Sequence, residues 1–288
     1  MIISTSEELR NLTGSFYANN DFTKISGIVA AVEQETCATL GMDSLDGLDG
    51  PALQAARQAV AYMATMRFNR LNDISHENAG RKVKIDRDNE ARPFEWQLAR
   101  DDRAHLEEYY RALDRLIDAL ADNEAFRQSK WYKRSQALIV KDADSLNYLT
   151  GLDPSPWLYL RLVPFLAESQ RFVERAYGDG FGDMGDNDNL QHAAQMAVAL
   201  GAIALMGRRT SLQALPYGLM KVFESDGGGN RQEAAPLDRL DHYLKYLSKE
   251  QHYWLNEMKQ LRDEAAGAEQ PTHLQMPDND PHNKFMRL

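Results

Sequence analysis

Residues 2–14 read IISTSEELRNLTG, and residues 139–151 read IVKDADSLNYLTG. Laid over one another with a shift of 137 residues (151 − 14), they match at Ile2/Ile139, Leu9/Leu146, Leu12/Leu149, Thr13/Thr150 and Gly14/Gly151. The elements after each copy repeat in the same order. An amphipathic helix is predicted over Phe22–Leu40 and again over Trp157–Tyr177. Asp/Gly-rich loops follow, Gly41–Gly50 and Gly178–Asn189. Two alanine-rich helices come next, Ala52–Leu71 and Leu190–Met206. Each half then carries a hairpin-like stretch and a long polar helix. The chain reads as an internal duplication of one helical module, and a repeat of this kind decides the fold question before any single motif does. The expected organisation is a first copy at 1–127, a linker at 128–137, a second copy at 138–264 and an extended C-terminal tail at 265–288. The fold class is mainly α.

Local patterns support these elements. Thr5-Ser6-Glu7-Glu8 is a capping box, and Asp142 takes the same place in the second copy. On Phe22–Leu40 one stripe holds Phe22, Ile25, Val29, Val32, Thr36 and Leu40. The corresponding face of the second copy is read as Trp157, Leu160, Pro164, Ala167, Arg171 and Ala176, with a kink or a late start at Pro164. The alanine-rich helices are apolar nearly all round, as buried central helices are. Asn78-Ala79-Gly80 is a turn between Ile74–His76 and Lys82–Ile85. Pro216-Tyr217-Gly218 is a turn between Leu212–Ala214 and Leu219–Phe223. Ile2–Ile3 and Leu138–Val140 are β-prone. The long helices are expected over Phe94–Ala121 and from Pro236 to about Ala266.

Composition bounds the function. In 288 residues, 43% are apolar and 26% charged, which is ordinary for a globular chain, and the length suits two domains. A formal net charge of −10 argues against sequence-specific nucleic-acid binding through phosphate neutralisation. The single cysteine, Cys37, excludes an intrachain disulfide and a multi-cysteine zinc site. No secretory signal is visible. The longest apolar stretch, Ala193–Met206, is shorter than a bilayer span and contains Gln195. A cytosolic, reducing setting is expected.

The chemical motifs are weak. Gly180-Phe-Gly182-Asp-Met-Gly185 fits G-x-G-x-x-G, but it follows a helix and sits among Asp179, Asp183, Asp186 and Asp188, which repel phosphate. The same loop lacks the ligand spacing of a calcium-binding hand. The seven histidines contain no H-E-x-x-H and no i, i+4 pair. The carboxylates of Asp101–Asp114 alternate with arginines at helical spacing and read as an ion-pair face. Trp131-Tyr132-Lys133-Arg134 reads as a packed anchor in the linker. No catalytic residue, metal ligand or cofactor site is expected.

The element order resembles a family of proteins of unknown function encoded in prophages and phages of Bacteroidetes. That family is distantly similar to phage head–tail adaptor (head-completion) proteins. The residues that carry the resemblance are Ile2–Leu12, the Gly41–Gly50 turn, Met66-Arg67-Phe68, the Ile74–Ile85 hairpin, Phe94-Glu95-Trp96 and Asn283-Lys284-Phe285. It implies an assembly role as a head–tail connector component. Such a protein forms homo-oligomers and contacts portal or tail proteins, in the bacterial cytoplasm during assembly and in the virion. The interface residues expected are Val83 and Ile85 on one hairpin, Leu219 and Val222 on the other, and Phe285, Met286 and Leu288 at the terminus. Two other classes fit the same sequence: an enzyme with an acidic or histidine-lined cleft between the modules, and a two-module adaptor unconnected with virions.

Overall fold

The capping box is formed at the first helix, α1 (Ser6–Thr13). The Thr5 hydroxyl accepts from the Glu8 amide at 3.2 Å, and the Glu8 carboxylate accepts in return from the amides of Ser4 and Thr5. Gly14 ends the helix at φ 69°, a left-handed position that glycine occupies without strain. The computed structural model describes residues 1–14, 21–72, 75–77, 80–82, 95–152, 154–182, 184, 187–210, 221–224, 231–234, 237–265 and 267. Over these the chain is mainly α. After α1 come α2 (Thr23–Leu40), α3 (Gly50–Asn72), α4 (Glu95–Ala119), α5 (Glu124–Gln128), α6 (Lys130–Gln136), α7 (Ala143–Thr150), α8 (Pro156–Tyr177), α9 (Asp188–Thr210) and α10 (Leu237–Ala265).

By contacts the chain divides into two compact units. One comprises Met1–Asn147 and Leu152–Val163, the other Tyr148–Gly151 and Pro164–Leu288. In the first unit α3 packs along α4 and against α1 and α2. Its apolar character dictates this: Ala55, Ala56, Ala59, Val60, Ala61 and Ala64 are all buried, and small side chains let the neighbouring helices come close. The α2 stripe runs as the periodicity predicts, through Ile25, Val29, Val32, Thr36 and Leu40. In the second unit α9 packs along α10, burying Ala193, Ala194, Ala197 and Val198 from one side and Leu244, Leu247, Leu255 and Met258 from the other.

Several expectations are corrected. Pro164 lies within α8, which runs through it, on the exposed side of the helix. The buried face of α8 is Tyr159, Leu162, Val163, Leu166, Ser169, Val173 and Tyr177, so the face read through Trp157, Pro164 and Arg171 is rotated from the true one. Ile3 and Val140 form no strand. They are buried, non-repetitive backbone anchored by side chains: Arg57 donates to the Ile2 carbonyl at 2.9 Å, and Tyr159 to the Val140 carbonyl at 2.9 Å. The linker is not extended chain. It forms α5 and α6, capped by Asn123 and Ser129, with Phe126, Ser129 and Ser135 buried. The second strand pair forms later than read: β3 (Lys221–Glu224) pairs antiparallel with β4 (Arg231–Ala234), not back across Pro216–Gly218. Ahead of α4, Ser75–Glu77 pairs with Gly80–Lys82.

One helix, over Asp188–Arg209, is long and apolar enough to cross a bilayer, with a mean hydropathy of 1.3, so length alone does not exclude a span as the sequence reading held. Of that window 72% is buried inside the protein, the pattern of a central core helix.

Candidate interaction surfaces

Of the seven expected interface residues, Val83, Ile85, Leu219, Phe285, Met286 and Leu288 lie outside the described residues. Val222 lies in β3, where its backbone pairs with Glu233. Other features stand out on the described surface.

In the second unit, four aromatic rings form an edge-to-face row. Tyr148 meets His192 at 6.3 Å between centroids, His192 meets Trp254 at 5.5 Å, and Trp254 meets Tyr253 at 5.4 Å. The row ends in water, with Tyr148 82% and Tyr253 57% exposed. Rings held edge to face gain about 0.5–1.5 kcal/mol per pair beyond burial, so the row is a fixed surface. It draws on α7, α9 and α10, which is why no local pattern announces it.

In the first unit, Tyr109, Tyr110 and Trp157 form a second row at 5.3 and 4.6 Å, with the Arg161 guanidinium 5.9 Å from the Trp157 ring. Beside it, Asp114 of α4 accepts from Ser155 Oγ at 2.8 Å and from the Trp157 amide at 2.9 Å, capping the start of α8. Burial pushes the Asp114 carboxyl above the ordinary aspartate range, against the opposing pull of those two donors. Burial also raises the Tyr109 phenol to about 12, which makes it a hydrogen-bond donor at neutral pH and not a base.

Cys37 lies in a cleft of about 460 Å³ with Ala30, Glu33, Ala38 and Met42. Burial, and then the charge of Glu33, raise its thiol above the usual value, so it stays protonated and is a poor nucleophile. His105 is buried against Tyr62, with Nδ1 3.0 Å from the Asp101 carbonyl. Among the described residues no three His, Cys, Asp or Glu side chains converge as metal ligands.

The stretch Trp131–Arg134 lies on α6. Trp131 packs at the end of α2: a Cβ on Gly41, which holds φ 70°, would sit 3.1 Å from Trp131 Cδ1. Arg134 lies 5.7 Å from the Trp131 ring. Around it, Lys130, Lys133 and Lys141 point to solvent. These surfaces hold fixed rings and charges suited to recognising other macromolecules. No family model, curated protein or solved structure matches the chain.

Proposed function

We propose that this chain is a phage or prophage assembly protein, a head–tail connector component. It works by protein–protein contact, forms homo-oligomers and performs no catalysis. We propose further that its scaffold is a tandem copy of one helical module, 1–127 and 138–264, each with a small hairpin ahead of its last long helix.

The observation that carries this reading is the recurrence of polar devices at equivalent places. The helix starts Thr23 and Pro156 are 133 residues apart (156 − 23), and on that offset Glu35 matches Glu168 and Thr36 matches Ser169. Both glutamates take a two-pronged grip from an arginine on the next helix. Arg67 donates to Glu35 at 2.8 and 2.6 Å, and Arg209 donates to Glu168 at 2.6 and 2.8 Å. Thr36 and Ser169 are both buried hydroxyls. The starts of α3 and α9 are 138 residues apart (188 − 50), which matches Ala59 with Ala197, both fully buried, and Arg70 with Arg208. Those two arginines bond to the following long helix, at Asp102 and at Ser248. Chance packing of unrelated helices has no reason to repeat an ion pair, a buried hydroxyl and a cross-helix arginine together. A duplicated scaffold presents paired surfaces, which suits an assembly component better than one asymmetric reaction centre. The resemblance to head–tail adaptors supplies the setting.

The test is to express the chain from its own prophage, induce particles, purify them and search for it by mass spectrometry. Stoichiometric presence in tailed particles is expected. Particles complete without it would overturn the reading.

A further inference from the structure

The segment 127–141 stands out in an acidic protein. It contains Arg127, Lys130, Lys133, Arg134 and Lys141, with no carboxylate between Glu124 and Asp142. All five are exposed. Arg127 is engaged by Asp122 and the Ala121 carbonyl. Lys130, Lys133 and Lys141 make no ion pair among the described residues. Lys130, Lys133 and Arg134 share one face of α6, being three and four residues apart. That helix is held in place by the buried Ser129 and Ser135 and by Trp131 against Gly41, so its charges are presented on a rigid support.

The chain also carries the opposite pattern. Residues 179–188 hold Asp179, Asp183, Asp186 and Asp188, with no Lys or Arg between Arg175 and Arg208. Asp179 and Asp188 are exposed and likewise make no ion pair among the described residues.

We infer that the basic face of α5–α6 is a docking surface for a second copy of this chain, which it engages through the acidic 179–188 segment. This deepens the assembly reading and rests on it. The choice of occupant follows from charge. With the five cations set aside, the rest of the chain carries −15 (−10 − 5). A long nucleic acid would run off the patch onto a repelling surface, whereas a compact acidic loop matches its extent. Basic face and acidic loop are different surfaces, so the contact is head to tail. Such contacts close into rings or extend into filaments. Complementary charges at the edge of an interface govern encounter and register more than total affinity.

The experiment uses three forms of the full chain: wild type, Lys130→Glu/Lys133→Glu/Lys141→Glu, and Asp179→Lys/Asp183→Lys/Asp186→Lys. Circular dichroism melts first establish that each folds. Sedimentation velocity then follows self-association at about 0.05 M and about 0.5 M salt, where screening lengths differ roughly threefold. Wild type should associate, more weakly in high salt. Each variant alone should associate at least about tenfold more weakly, since like charges now face one another. An equimolar mixture of the two variants should recover association, because each then offers what the other lacks. Wild-type association with both variants unaffected, or no recovery in the mixture, overturns this contact and leaves the assembly reading standing. A wild-type chain that is monomeric throughout overturns both. A short fluorescent oligothymidylate is run in parallel. If the lysine variant loses its binding while association is unchanged, the face belongs to nucleic acid and the inference is wrong.

Discussion

Replacing Gly201 by alanine should destabilise the second unit, although glycine is a poor residue inside a helix. An exposed glycine-to-alanine change in a helix gains about 1 kcal/mol from propensity. Gly201 is buried in α9, and a methyl group there would meet Ser169 Oγ and the Gln251 amide, with Gln251 Cδ only 2.8 Å away. Ser169 Oγ has no hydrogen-bond partner, so it can rotate away with no bond lost. Gln251 cannot move so freely, because its amide donates to the Ala197 carbonyl at 3.2 Å. Losing that bond costs about 1 kcal/mol, and overpacking a close helix pair costs roughly 1–3 kcal/mol. Set against the propensity gain, the net loss is about 1–3 kcal/mol. Urea unfolding followed by circular dichroism reads it directly. In a Gln251→Ala background the obstruction is gone, and the same Gly201→Ala change should be neutral or stabilising by up to about 1 kcal/mol. A single variant as stable as wild type, or an equal loss in both backgrounds, would refute the steric account.

Ala59→Leu and Ala197→Leu should each cost about 1–3 kcal/mol in the same assay, since both positions are fully buried between helices. A neutral outcome at both would mean that these faces open outward. Gly41→Ala should lower the melting temperature, because it combines a left-handed backbone position with contact on Trp131; an unchanged melt would show that α6 gives way there. Asp114 carries a pH signature. Its folded-state pKa is raised by burial, so the folded chain binds its proton more readily than the unfolded chain does. The resulting penalty is full above the raised value and disappears as pH falls toward the ordinary aspartate range near about 4. Asp114→Asn should therefore gain most relative to wild type at neutral pH, with the advantage shrinking in acid. A constant difference across that range would contradict it.

The long helices were legible because their burial follows a 3.6-residue period that local sequence carries. Ile25, Val29, Val32, Thr36 and Leu40 illustrate this. The face of α8 was misread because Pro164 was counted into the apolar stripe. Its missing N–H is tolerated on the solvent side, where helix curvature is least constrained. Ile2–Ile3 looked like a strand from side-chain type alone. A strand needs a pairing partner, and here Arg57 satisfies the Ile2 carbonyl instead. The helices of 122–137 were missed because they are too short for periodicity to register, although Asn123 and Ser129 were available as caps. The Tyr148–His192–Trp254–Tyr253 row was invisible for a different reason. Its members are far apart in sequence, and exposure of an aromatic is a property of packing that no local window contains.

The most direct test of the assembly account is the mass of the purified full-length chain in solution, measured by light scattering across a concentration series at low salt. The chain alone weighs 32.7 kDa. The account predicts a defined multiple of that mass, converging on one value as concentration rises. A mass of one chain at every concentration would contradict it.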